Sequence, residues 1–255
     1  MNLAALLRFL SCLTLAALAG AAGAEPIVLT AADGTNVFGE LWKAKGANPP
    51  VILAFHQAES STAEYAPLAP RLNAAGFTVL AIDQRSGGGN FGGANRTVAA
   101  LGRSAEYDAA LPDLAAALAW AKVNAGGAPV LLWGSSYSAS LVFLLAAQNA
   151  GAVAGVLAFS PDEYLDRSDA VGKAARQVRV PVFITQAATR DEIASARGIL
   201  GAVASTDKTQ FIPTRGGVHG SSTLRLDSNA AGAEENWQAV LRFLKRVTES
   251  GKAVR

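Results

Sequence analysis

From residue 27 onward, short continuous apolar runs alternate with longer segments whose apolar positions recur at three- and four-residue spacing. Ile27–Thr30 and Val37–Trp42 flank Asp33-Gly34, a favourable turn pair, and predict a hairpin. Val51–Phe55 is apolar throughout, as a strand buried on both faces should be. Ser61-Thr62-Ala63-Glu64 has the spacing of a capping box. Behind it Tyr65, Leu68, Ala69 and Leu72 share one helix face, which Gly76 ends. Phe77–Ile82 predicts the next strand. Leu111, Leu114, Leu118 and Ala121 mark a second helix, with Pro112 in its first turn or kinking it. Pro129–Trp133 predicts a strand, and Tyr137–Gln148 a helix that is apolar almost all round and therefore buried. Val153–Phe159 and Val180–Thr185 predict two more strands, Asp191–Val203 a helix, Gln210–Pro213 a short strand and Glu234–Thr248 a closing helix. This alternation places the chain in the α/β class, with a mostly parallel sheet covered on both faces. No internal repeat or Pro- or Ser-rich linker divides it, so one domain is expected.

A different pattern precedes this one. Met1–Leu7 is short and apolar, Arg8 adds a positive charge, Phe9–Ala19 is weakly polar to apolar, and Ala22-Gly23-Ala24 sets small residues before Glu25-Pro26. The order predicts a secretory signal peptide over residues 1–24. Its removal leaves 25–255 as the folded domain of an exported protein, periplasmic or secreted, with no stable membrane association. The apolar run falls short of the roughly 20 residues of a spanning helix, although an uncleaved anchor is the alternative. A lipoprotein signal at Cys12 fits poorly, because most of the run follows that residue. Cleavage removes the single cysteine, which excludes disulfides and a thiol nucleophile from the mature chain. It also removes Arg8 and brings the net charge of +2 closer to zero. Such a balance carries no footprint for nucleic acid or for an anionic membrane surface. Two histidines argue against a His-rich metal site. Neither a metal nor a cofactor is expected.

The most informative stretch is Leu131-Leu132-Trp133-Gly134-Ser135-Ser136-Tyr137-Ser138, where a buried strand runs straight into the all-apolar helix. Gly134-x-Ser136-x-Ser138 resembles the G-x-S-x-G nucleophile elbow of α/β hydrolases, with Ser138 in place of the second glycine. A nucleophile on so tight a turn needs flanking residues nearly free of side chains, and Gly134, Ser138, Ala139 and Ser140 are all small. The resemblance extends over 25–255 and is greatest to small capless members similar to dienelactone hydrolase, which use cysteine where this chain has Ser136.

The resemblance implies the chain order nucleophile, acid, base. Only His219 follows Ser136, within Gly216-Gly217-Val218-His219-Gly220, where the family carries its base between the last strand and last helix. Asp191, after the Val180–Thr185 strand in Asp191-Glu192-Ile193, is the leading acid, with Asp162 and Glu192 as competitors. Phe55-His56-Gln57-Ala58 occupies the place of the family's His-Gly segment. The backbone N–H groups of Gln57 and Tyr137 are accordingly the expected oxyanion donors, with His56 structural or lining the pocket. Residues 84–104 form a long Gly-rich segment without an obvious element. Its Gly87-Gly88-Gly89-Asn90-Phe91-Gly92 formally fits a dinucleotide motif, but no helix opens there and no acidic residue ends a following strand. Long loops often bind substrate, so Arg85, Asn90 and Phe91 are candidate lining residues, with Tyr164 and the Tyr137 ring at an apolar acyl site. Residues 160–179 leave room for one short helix, near Asp162 to Lys173, and for no cap domain. The expected function is hydrolysis of a small-molecule carboxylic ester through an acyl-enzyme on Ser136. Peptidase, amidase or acyltransferase activity with the same triad is the nearest rival, and a non-catalytic binding module on a hydrolase scaffold is the alternative from another class.

Overall fold

The computed structural model describes residues 23–250, so the predicted signal segment lies outside the described residues except for Gly23 and Ala24. Eight strands form one sheet in the order β1-β2-β4-β3-β5-β6-β7-β8. β1 (Glu25–Thr30) and β2 (Asn36–Trp42) make the predicted hairpin. β2 also pairs antiparallel with β4 (Thr78–Ile82). β3 (Val51–Phe55), β5 (Val130–Ser135), β6 (Gly155–Phe159), β7 (Val182–Thr185) and β8 (Lys208–Phe211) complete a parallel run with β4. The continuous apolar strands are buried on both faces because helices cover both. Their period of two divides the core. Leu53, Phe55, Leu132 and Val156 face α3 (Leu111–Asn124), α4 (Tyr137–Gln148), α5 (Ala170–Ala175) and α6 (Arg190–Ala202). Ile52, Leu131, Trp133, Leu157 and Phe159 face α1 (Ala69–Ala74) and α7 (Ala233–Ser250). On this second face Trp133 stacks on Phe159 at 4.5 Å, and Phe183 meets Phe243 of α7 at 5.5 Å.

Four elements differ from expectation. α5 begins at Ala170, several residues later than the helix expected near Asp162 to Lys173. α1 begins only at Ala69, with Pro70 in its first turn. A 3-10 turn, Thr62–Glu64, stands where the capping box predicted a helix start. Ser61 does cap this turn, accepting from the Ala63 N–H, but the Glu64 carboxylate turns into the protein interior instead of back to Ser61. The segment 84–104 contains a further helix, α2 (Arg96–Leu101), capped by Asn95 and ended by Gly102 at φ 73°. β8 lies two residues earlier than predicted.

Among the described residues no helical cap covers the carboxyl ends of the strands. Between β6 and β7 the only helix is α5, and its Val171, Ala174 and Ala175 pack into the core beside α4. The loops leaving β3, β5, β6, β7 and β8 therefore meet at one end of the sheet, where open α/β folds place their ligands. Among the described residues no helix is long and apolar enough to cross a membrane.

Candidate active site

Ser136 stands between β5 and α4 at φ 56° and ψ −124°, a conformation costly for any residue with a side chain. The turn closes so tightly that a Cβ on Gly134 would come within 2.3 Å of the Ser138 carbonyl oxygen. Glycine is required there. Ser138 is tolerated at the second flank because its buried hydroxyl donates to the His56 carbonyl at 2.6 Å and accepts from the Gln84 amide at 2.5 Å. Ser136 is largely buried at the start of α4, and its Oγ lies 2.7 Å from His219 Nε2.

His219 Nδ1 lies 2.9 Å from Glu192 Oε1. An ionised carboxylate only accepts, so this contact places the imidazole proton on Nδ1 and leaves Nε2 to accept from the Ser136 hydroxyl. Burial pushes the Glu192 carboxyl up. Hydrogen bonds from His219, Ser160 and the Ala187 N–H outweigh it and hold the group below the ordinary range.

The carboxylate that meets His219 is thus Glu192 and not the expected Asp191. β7 is followed by a short turn, and α6 starts at Arg190 with Thr189 as N-cap. Successive helical residues are rotated by about 100°, so neighbours face different ways. The third position carries Glu192 toward His219, while Asp191 lies exposed to solvent. Asp162 is also excluded from the His219 contact, since it accepts from Ser195 Oγ at 3.0 Å and from the Glu163 N–H at 2.8 Å.

The family model described as serine aminopeptidase, S33, matches residues 47–163, which include Ser136 but precede Glu192 and His219. Solved structures match over most of the chain. An esterase from Pyrococcus furiosus is 20% identical, with a TM-score of 0.64 over 88% of this chain and 92% of its own. A cold-adapted esterase from an Arctic intertidal metagenomic library shares 20% identity and a TM-score of 0.64 over 88% and 94%. A putative dienelactone hydrolase from Klebsiella pneumoniae shares 20% identity and a TM-score of 0.62 over 86% and 97%. The chain has the α/β-hydrolase fold. No curated protein matches it in sequence.

Backbone N–H groups surround the elbow, but not all are free. The Gln57 N–H donates to Glu64 Oε2 at 2.7 Å, so this expected donor is already engaged. Its neighbour Ala58 and the first helical residue Tyr137 have N–H groups that no acceptor among the described residues takes up. Glu64, which the sequence pattern assigned to helix capping, is fully buried and also accepts from Ser135 Oγ at 2.6 Å.

The candidate lining residues separate clearly. His56 is fully buried, with Nδ1 2.7 Å from the Gln57 carbonyl and Nε2 accepting from the Gln84 N–H at 3.0 Å. Burial lowers its pKa to about 4. It is a neutral structural residue and lines no pocket. Arg85 is not a lining residue either, because it is locked between Asp113 and Asp33. The Phe91 ring lies under the Arg225 guanidinium at 4.3 Å, and its connection to the elbow runs through Arg225 and the Glu64 carbonyl. The Tyr137 ring is buried, donates to the Ser86 carbonyl at 2.7 Å and stacks on Tyr107 at 4.5 Å. Asn90 donates its N–H to the Glu59 carbonyl. Only Tyr164 comes to Ser136. Burial pushes its half-buried phenol up to about 12, with Asp162 and Glu192 adding to the shift and a hydrogen bond with Ser136 opposing it. Among the described residues no group of three or more His, Cys, Asp or Glu side chains is placed to hold a metal ion.

Proposed function

We propose that the protein is a serine hydrolase that cleaves carboxylic esters through an acyl-enzyme on Ser136. The observation that carries this reading is the strained Ser136, whose Oγ lies 2.7 Å from an imidazole oriented at 2.9 Å by Glu192. His219 Nε2 takes the hydroxyl proton as Oγ attacks the ester carbonyl. The N–H groups of Ala58 and Tyr137 stabilise the resulting oxyanion, and Glu192 stabilises the imidazolium. Collapse breaks the ester C–O bond, and the imidazolium returns its proton to the leaving alcohol. Water then attacks the acyl-enzyme with His219 again as base, releasing the carboxylic acid and restoring Ser136.

The esterases among the solved structures similar to this chain support an ester substrate. The family model's name favours an aminopeptidase instead. An aminopeptidase would need a carboxylate to hold the substrate ammonium. Here Glu192, Glu64 and Asp162, the carboxylates on the loops around Ser136, are each engaged by protein donors. An ester substrate fits better. Export, with cleavage after Ala24, is part of the same proposal.

A fluorophosphonate probe read by intact mass tests the reading without knowledge of the substrate. Wild type should gain one probe mass and Ser136→Ala none, and p-nitrophenyl esters should be cleaved in preference to p-nitroanilides. Expression from Met1 in a bacterial host should give a mature mass beginning at Glu25. Native wild type that gains no probe overturns the hydrolase assignment in favour of a binding module.

A further inference from the structure

Behind the candidate triad lies a buried network that the reaction above does not use. Glu64 has no exposed surface and no cation within ion-pair distance of its carboxylate among the described residues. An unpaired buried carboxylate is costly, yet this one holds three segments. Its Oε2 accepts from the Gln57 N–H at 2.7 Å, beside the free Ala58 N–H. Its Oε1 accepts at 2.6 Å from Ser135, the residue before the nucleophile. Ser135 Oγ in turn accepts from the Ser221 N–H at 2.8 Å, two residues beyond His219. Ser221 is fixed further by the Trp133 indole N–H, 2.8 Å from its Oγ. Between His219 and Ser221 stands Gly220 at φ +67°, where a Cβ would lie 2.5 Å from Ser135 Oγ and 2.7 Å from Gln57 Oε1. The oxyanion loop, the elbow and the histidine loop converge on one carboxylate.

Resting on the assignment of Ser136 as nucleophile, we propose that Glu64 is a positioning residue for the reaction. In its ionised form it holds the Gln57–Ala58 backbone, Ser135 and the His219 loop in mutual register. Ionisation matters because both of its contacts come from donors. A protonated carboxyl carries one proton, so the oxygen that bears it turns from acceptor to donor: on Oε2 it would face the Gln57 N–H, and on Oε1 it would reverse the Ser135 hydrogen bond. The charged and titratable groups that act on Glu64 or feel its charge are Arg225 and His219, which favour its ionised form, and the buried phenols Tyr65 and Tyr137. Burial outweighs the hydrogen bonds from Ser135 and Gln57 and the charge of Arg225, and raises the Glu64 pKa to about 7, which puts its titration within the working range of a hydrolase.

The test is the rate of fluorophosphonate labelling from about pH 4 to about pH 9, in wild type and Glu64→Gln. If both His219 and Glu64 must lose a proton, log rate should rise with an acid-limb slope of about two in wild type. Glu64→Gln cannot ionise and presents an amide donor where the carboxylate accepts, so its plateau rate should fall, and its acid-limb slope should drop to about one because only one titration remains. A group that merely filled space would lower the rate equally at every pH. Wild type that labels with a slope of about one overturns the role of Glu64 and leaves the hydrolase reading intact. Wild type that never labels overturns the hydrolase reading itself. The wild-type slope decides the matter even if Glu64→Gln fails to fold.

Discussion

At the scale of single residues, the proposed reaction sets His219 between a hydroxyl that must lose a proton and a carboxylate that must not gain one. Glu192 meets the second need, since its hydrogen bonds keep it ionised well into acid. Glu192→Gln should therefore lower ester turnover by up to about 10⁴, while Asp191→Asn, on the exposed side of α6, should change it less than about threefold. Steady-state kinetics on one p-nitrophenyl ester separates the two, and the reverse order would return the acid to Asp191. The comparison also shows where sequence reading stops. Ser136 and His219 were legible because a strand–Gly-x-Ser–helix junction and a single downstream histidine leave few choices. Choosing between adjacent carboxylates depends on the residue at which α6 begins, and that start is set by Thr189 accepting the Glu192 N–H at 3.4 Å. Thr189-x-x-Glu192 was a readable capping signal, and it would have favoured Glu192. Glu64 was hidden for the opposite reason. Its spacing from Ser61 satisfies a local rule, but tertiary donors on Gln57 and Ser135 draw the carboxylate away.

At the scale of elements, the same tension between local and distant partners explains the long segment after β4. Strands and long helices were legible through their apolar period, whereas α2 has only six residues and one buried position. Glycine around it reads as loop. What orders the segment is polar: Asp83 accepts from Arg96 and the Thr62 N–H, and Asn95 bonds to Ser60, Gln84 and His56. Arg85 fastens it to α3 through Asp113 and to the β1–β2 turn through Asp33. The two acids are unequal. The Asp113 side chain is fully buried, while that of Asp33 is 44% exposed. Arg85→Met leaves Asp113 buried without its cation and should cost about 3–5 kcal/mol. Asp33→Ala removes only the exposed partner and should cost far less. Urea unfolding measures both. Arg85→Met that remains folded should label with fluorophosphonate at the wild-type rate, and a labelling defect in folded protein would restore Arg85 to the substrate site.

At the scale of the whole molecule, two buried groups oppose each other in how stability follows pH. His56, about 6.5 when unfolded and about 4 in the fold, stays neutral where the unfolded chain takes up a proton. Its contribution is present above about 6.5 and is lost as pH falls toward 4. Glu64 behaves in the reverse sense, because its folded value of about 7 lies above the unfolded 4.5. Its contribution is complete below about 4.5 and is lost as pH rises through 7. Between about 4.5 and 6.5 the two trends offset, and above that window only the Glu64 loss continues. Glu64→Gln removes the second trend alone. Its melting temperature should therefore gain on wild type steadily from about pH 4.5 to about pH 7, and run parallel above it. A difference that shrinks over that range would mean that the fold favours the ionised carboxylate, contrary to its burial. The expected trend would place the cost of ionising Glu64 in the same pH range where Ser136 becomes reactive. The fold would then give up stability in the state its active site requires, as strained sites commonly do.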